Sequence, residues 1–174
     1  IGSADQILYA VSSAGDLRWT FPTEAAITGS PSIAADGSII FGNSAGWLYS
    51  LRADGRLNWK RDLRSPLFCT SAVTREGRIV CVTSNGEIVS LNLDGEEQWR
   101  YAYAQTSTAS NAILDVHGVA YVGGPDGFVT AVDRAGALLW RYQTDAAITC
   151  TPAIGQSGEL VFGNEQGTLF VLRD

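Results

Sequence analysis

Four tryptophans, Trp19, Trp59, Trp99 and Trp140, stand 40, 40 and 41 residues apart, and the residues that lead into each one repeat with it. The phrase reads LYAVSSAGDLRW at 8–19, LYSLRADGRLNW at 48–59, IVSLNLDGEEQW at 88–99 and VTAVDRAGALLW at 129–140, with a shorter copy, LFVLRD, at 169–174. A chain with such a period is an array of one supersecondary unit, each copy burying its apolar faces against its neighbours.

Glycines divide the unit. Counted from each Trp, they fall into three sets: Gly37, Gly77, Gly118 and Gly158; Gly46, Gly86, Gly127 and Gly167; Gly15, Gly55, Gly95 and Gly136. Several are preceded by Asp or Asn, as in Asp36-Gly37, Asp54-Gly55, Asn85-Gly86, Asp94-Gly95 and Asp126-Gly127. Such pairs accept the positive φ of tight hairpin turns. Between the turns lie short segments rich in β-branched and aromatic residues, in the second unit Ser30–Ala34, Ser38–Gly42, Trp47–Arg52 and Leu57–Arg61. The turn spacing is too short for helices, and no 3.6-residue period persists beyond two turns. The reading is an all-β chain of four-stranded antiparallel meanders, the blades of a β-propeller or of part of one, with the Trp-bearing strand outermost. The units run 1–19 (partial), 20–59, 60–99, 100–140 and 141–174 (partial).

Composition excludes some function classes. Hydrophobic residues make up 45% of the chain without any apolar run long enough to span a membrane as a helix. A net charge of −6 argues against a general nucleic-acid binder, whose affinity rests on neutralising phosphates. Ile1 begins within the repeat pattern, as in a processed or truncated chain, and no signal peptide is visible.

The phrase from an apolar-Tyr-Ala-apolar start through a Gly turn to Trp resembles the repeat of the pyrroloquinoline-quinone-type (PQQ-like) β-propellers, in its non-enzymatic branch. Other features of that repeat are present: Ser30-Pro31 and Thr151-Pro152 near the first strand, and Phe41-Gly42-Asn43, Val122-Gly123-Gly124 and Phe162-Gly163-Asn164 closing the second. The resemblance implies a docking role for Trp19, Trp59, Trp99 and Trp140, each carried onto the neighbouring blade, with Ala10, Ser50, Ser90 and Ala131 leaving room for the indoles. It also favours an extracytoplasmic location.

Enzymes that resemble this family carry their quinone over a vicinal disulfide with a calcium ion and an Asp base. Here Cys69, Cys81 and Cys150 are isolated in sequence, and Cys69 and Cys150 share a repeat position with Gly29 and Ala109, which reads as a small core residue. The lone histidine, His117, falls in a turn and reads as solvated. No nucleophile elbow, zinc spacing or phosphate loop occurs, and the Asp-Gly turns lack the further carboxylates calcium requires. The expectation is therefore no enzyme, no cofactor and no metal site.

Binding is expected in what varies between repeats. The stretches after each Trp read FPTEAAIT (21–28), RDLRSPLF (61–68), YAYAQTST (101–108) and YQTDAAIT (142–149), and they should share one end of the molecule with the turns at Gly46, Gly86, Gly127 and Gly167. The middle two differ from the outer pair. Arg61, Asp62, Arg64 and Phe68 in one, and Tyr101, Tyr103 and Gln105 in the other, have the mixed Arg, Tyr and apolar character of interface centres. These are the candidate partner-binding residues. The alternative is that Arg61 and Asp62 pair on the surface while the tyrosines cover a blade edge. Lys60, Arg100 and Arg141, each directly after a Trp, read as outer-strand charges that blunt an exposed edge.

The expected function is a non-catalytic binding or scaffolding module that presents these loops to a protein partner. Alternatives are a ligand-sensing or carbohydrate-binding domain of a larger protein, or a portion of a quinoprotein dehydrogenase. The chain holds about four and one-third units. That count leads to the expectation of further blades in a longer propeller, or of a homodimer completing one ring.

Overall fold

In the computed structural model, which describes residues 1–106 and 110–173, all twelve glycines of the three sets adopt left-handed backbone, with φ between 77° and 92°. The end of the 101–108 loop, Ala109 and Asp174 lie outside the described residues. Among the described residues, seventeen strands form five sheets. Blade 1 is β1 (Ile7–Val11) and β2 (Leu17–Pro22). Blade 2 is β3 (Ser32–Ile33), β4 (Ile39–Gly42), β5 (Trp47–Leu51) and β6 (Leu57–Asp62). Blade 3 is β7 (Ala72–Val73), β8 (Ile79–Val82), β9 (Glu87–Leu91) and β10 (Glu97–Ala102). Blade 4 is β11 (Ile113–Leu114), β12 (Ala120–Gly123), β13 (Phe128–Val132) and β14 (Leu138–Gln143), and blade 5 is β15 (Ala153–Ile154), β16 (Leu160–Gly163) and β17 (Leu169–Leu172). Each sheet is an antiparallel meander in chain order.

The middle strands are buried at nearly every residue because each has a neighbour on both faces. Successive side chains point to opposite faces of a strand, so β8 sends Ile79 and Cys81 toward Ile40 and Leu48 of blade 2. Val80 and Val82 go the other way, toward Ala120 and Val122 of blade 4. Similar clusters join blade 1 to blade 2 through Leu8, Ile27, Phe41 and Tyr49, and blade 4 to blade 5 through Val129, Ile148, Leu160 and Phe162. The core is thus four interblade seams rather than one centre.

Two periodic hydrogen bonds tie the seams together. At the outer edge the indole Nε1 of Trp19 donates to the Ala53 carbonyl (3.1 Å), Trp59 to Leu93 (2.6 Å) and Trp99 to Arg134 (2.9 Å). Each acceptor lies in the last hairpin turn of the following blade. Each indole lies over that turn's glycine, so closely that a Cβ on Gly55, Gly95 or Gly136 would come within 2.7 Å of it. Directly across from the tryptophans on the adjoining strands are Ala10, Ser50, Ser90 and Ala131, small residues as the repeat implied. Nearer the first strands a second series runs from blade to blade: Ser30 N to Thr70 Oγ1 (3.1 Å), Thr70 N to Asn111 Oδ1 (2.7 Å) and Asn111 N to Thr151 Oγ1 (3.1 Å).

That inner series explains why the first strands are only two residues long rather than the five expected for Ser30–Ala34. Their leading residues bond sideways to the next blade instead of to their own sheet. A second expectation also needs correction: Cys150 is exposed and Cys69 half-buried, so only Cys81 is a core thiol. Cys69 and Cys150 sit at the start of first strands, where the thiols reach backbone carbonyls of Ser110 and Gly163.

Removing one indole should open a seam. Trp59→Ala is expected to destabilise by about 3–5 kcal/mol, and Trp59→Phe, which keeps an aromatic ring but loses the donor, by about 1 kcal/mol or somewhat more, both measured by denaturant unfolding. Gly95→Ala and Gly158→Ala share the cost of a left-handed L-residue, about 1–2 kcal/mol. Only Gly95, at φ 77°, also has an indole in the way, whereas Gly158, at φ 87°, has open space. Gly95→Ala should therefore be the more destabilising of the two; equal losses would mean that the indole yields freely.

Candidate functional site

The stretch after each Trp is held at the same end as the second hairpin turns. Within one blade, Leu63 N bonds to Gly46 O (2.9 Å), Tyr103 N to Gly86 O (2.9 Å) and Thr144 N to Gly127 O (2.8 Å). Across to the next blade, Ser44 N bonds to Ala26 O, Ser84 N to Pro66 O and Glu165 N to Ala147 O, at 2.9–3.0 Å. These staples fix the loop backbones, so the loops differ in what their side chains offer.

The 61–68 loop borders a cleft of about 870 Å³ whose charged lining is Arg61, Asp62, Arg64, Glu87, Glu96, Glu97 and Arg100. Arg100 organises its acidic side: Nη1 lies 2.5 Å from Glu87 Oε2, while Nε and Nη2 hold Glu97 as a fork at 3.1 and 2.9 Å. Hydrogen bonding from Arg100, helped by the positive charges of Arg100, Arg61 and Arg64, holds the Glu97 carboxyl below its ordinary value. Arg61 and Asp62 do not pair with one another. Arg61 Nε donates to Gly95 O (2.7 Å) on the turn that receives Trp59, and Asp62 Oδ1 accepts the Arg64 backbone N–H (2.8 Å).

Arg64 differs from its counterparts in the other loops. It is one of two non-glycine residues at positive φ (62°) among the described residues, a conformation uncommon for a side chain of this kind. At the same loop position blade 1 has Glu24, whose carboxylate accepts from Lys60 Nζ (2.6 Å) and from the Tyr49 hydroxyl. Blade 4 has Asp145 there, which accepts from Asn164 Nδ2 (2.7 Å). Both acids are committed to the following blade. The Arg64 guanidinium makes no hydrogen bond or ion pair with the described residues and stands exposed at the cleft.

The remaining candidates are not gathered here. Phe68 is 48% exposed, four residues farther on, and does not line the cleft. Tyr103, at 3% exposure, packs with Val80, Ile88 and Val122 in the seam between blades 3 and 4, and Tyr101 is half-buried against the same cluster. Tyr103 is thus core rather than rim. Gln105 is exposed. The acidic half of the cleft was missed in the sequence, although it left a sign: Glu87 stands where blades 2 and 4 carry Trp47 and Phe128. In those blades the basic residue after the Trp covers a ring, Lys60 over Trp47 at 4.5 Å and Arg141 over Phe128 at 3.9 Å. In blade 3 the same position makes an ion pair. Lys60, Arg100 and Arg141 are therefore all engaged within the structure.

A family model described as outer membrane protein assembly factor BamB matches residues 4–173. Among solved structures, BamB from Moraxella catarrhalis is similar with a TM-score of 0.79 at 23% identity, over 97% of this chain and 59% of that one. The computationally designed Ika8 protein gives 0.86 at 17% identity over 99% and 54%, and the WD40 β-propeller domain of Doa1 gives 0.80 at 13% over 98% and 58%. At these identities the solved structures speak to the fold, a β-propeller, and this chain spans less than two thirds of the length of each. No curated protein matches the chain.

The contrast between Glu24 and Arg64 can be measured. Hydrogen bonds from Lys60 and Tyr49 lower the Glu24 carboxyl from its ordinary 4.5 to about 2. A depressed folded value means that its contribution to stability is complete above pH 4.5 and is lost as the pH falls through about 2. Glu24 is half exposed and its pair is screened by solvent, so the effect should be modest. Urea midpoints across that range should fall less steeply for Glu24→Gln than for the unmodified chain, and Arg64→Ala should leave the curve in place. Parallel curves for Glu24→Gln and the parent would show that the pair contributes nothing.

Proposed function

Because the chain belongs to the PQQ-repeat propeller family of outer membrane protein assembly factor BamB, we propose that it is a non-catalytic binding module whose 61–68 loop docks a protein partner. The observation that carries this reading is Arg64: an exposed guanidinium on a stapled loop, with no hydrogen bond or ion pair among the described residues, where equivalent residues in two other loops are tied into the scaffold. Arginine on a rigid support is favoured at interface hot spots, since little freedom is lost when it engages a carboxylate. Arg61 stands beside it with one nitrogen on Gly95 O, so the partner surface that fits carries acidic groups. Phe68 adds apolar area at the same end of the molecule.

Two of the three thiols are in keeping with the non-catalytic part of the reading. Burial pushes the Cys81 thiol up to about 12 and raises Cys69 as well, so neither forms a thiolate readily near neutral pH. By analogy with BamB, a protein component of outer-membrane assembly is the first partner to test. No helix among the described residues is long and apolar enough to cross a membrane.

A photo-crosslinker placed at Arg64 should capture the partner in cells, and one at Val116, on the opposite end, should not. With that partner purified, Arg64→Ala should weaken binding about tenfold, the scale of a lost charge-assisted hydrogen bond, and reduce its salt dependence without moving the unfolding midpoint. Replacing 61–68 by the 21–28 sequence should abolish binding. Full affinity in both variants would refute the assignment.

A further inference from the structure

An antiparallel meander puts its first and third turns at the end opposite its second, and there three turns of blades 3 and 4 enclose another cleft, of about 650 Å³. Arg75 and Arg78 border it from the β7–β8 hairpin, Asp115 and His117 from the β11–β12 turn and Arg134 from the β13–β14 turn, beside the apolar Val73 and Ile113. Arg78 bridges the junction, with Nη2 donating to Gly118 O (2.5 Å) and Nη1 3.5 Å from Arg134 O. No ion pair among the described residues includes Arg75, Arg78 or Arg134.

The acids that line the cleft are occupied by their own turns. Asp115 accepts the N–H groups of His117 (2.9 Å) and Val119 (2.8 Å) and the hydroxyl of Tyr121 (3.1 Å). Glu76, fully exposed, is held below its ordinary value first by its own backbone N–H and by Thr74, and only then by the charges of Arg134 and Arg78. Burial, with the neighbouring Arg134 charge, pulls the Arg78 guanidinium below its ordinary value against the opposing charges of Glu76 and Asp115.

The repeat supplies a control. At the junction of blades 2 and 3 the corresponding positions hold Ala35, Ser38 and Leu93, and the Leu93 side chain covers Gly77. One junction later the Arg78 guanidinium covers Gly118 instead. Three cations have thus replaced neutral residues at a single seam of a chain whose net charge is −6, and the turn geometry demands none of them. Guanidinium forks match the oxygens of carboxylates and phosphates, and the cleft volume is that of a small-molecule site.

We propose that this cleft binds a small organic anion, with its carboxylate or phosphate group on Arg75, Arg78 and Arg134 and its apolar body against Val73 and Ile113. The test is calorimetric titration of the chain with phenyl phosphate and with benzoate at low salt. Saturable one-site binding is expected for at least one probe. Arg75→Ala and Arg134→Ala should each weaken it about tenfold. Arg134→Ala should leave thermal unfolding unchanged, because the indole of Trp99 uses only the backbone carbonyl of Arg134. Arg56→Ala, on a blade 2 turn away from the cleft, should bind as the parent does. A preference for phenyl phosphate identifies a phosphate ligand, and the reverse a carboxylate. Absence of saturable binding at about 10 mM, a level that corresponds to negligible affinity, or equal weakening by Arg56→Ala, overturns the proposal.

Discussion

The indoles of Trp19, Trp59 and Trp99 each lie on the last hairpin turn of the next blade and donate their single N–H to a carbonyl there, whereas Trp140, for which the repeat implied the same role, is 37% exposed and packs beside Tyr121. Most of what recurs in this chain serves that contact. The turn glycine has to be glycine twice over, once for its positive φ and once because the indole occupies the space of a Cβ. A small residue must face the Trp across the strand pair, and Ala10, Ser50, Ser90 and Ala131 meet that need. A large aromatic with a polar handle suits this place, since it buries wide area while its N–H is still satisfied. With the outer edges joined in this way and the inner edges joined from Ser30 through Thr70 and Asn111 to Thr151, the seams between blades are fixed at both margins.

A scaffold so repetitive acts as its own reference. Where a position is tied into the scaffold, or neutral, in some blades and in another is a cation in no ion pair among the described residues, the difference points to a separate demand. The loop position of Glu24, Arg64 and Asp145 is one such case, and the junction position of Ser38 and Arg78 is another. In both an arginine appears where the fold does not require one, Arg64 at the seam of blades 2 and 3 and Arg78 at the opposite end of the seam of blades 3 and 4. Elsewhere the scaffold does neutralise charge, as with Lys60 on Glu24 and Arg100 on Glu87 and Glu97.

Much of the fold was legible because its signals are local. A Gly at a fixed interval, an Asp or Asn before it and a period-two apolar segment on either side define a hairpin without reference to the rest of the chain. The first strands are shorter than their apolar runs suggest, since their pairing is diverted to neighbouring blades, and no local pattern reveals a lateral bond forty residues away. The candidate site was legible in part. Arg61, Asp62 and Arg64 do line one cleft, yet Tyr103 faces a seam, because alternation along its loop depends on where the backbone is stapled. Glu87 and Arg100, remote from the loop in sequence, complete the cleft through strand pairing.

The sequence by itself determined the repeating unit, its turns and its docking residues, since each depends on residue type and spacing over short distances. Only the tertiary structure decided which charged side chains are consumed and which are available. Arg61 and Arg64 look alike in sequence, but one meets the Gly95 carbonyl of the next blade and the other meets none. That distinction arises from how the loop is stapled across two blades and turned at Arg64, a property of the packed seam rather than of any segment within it.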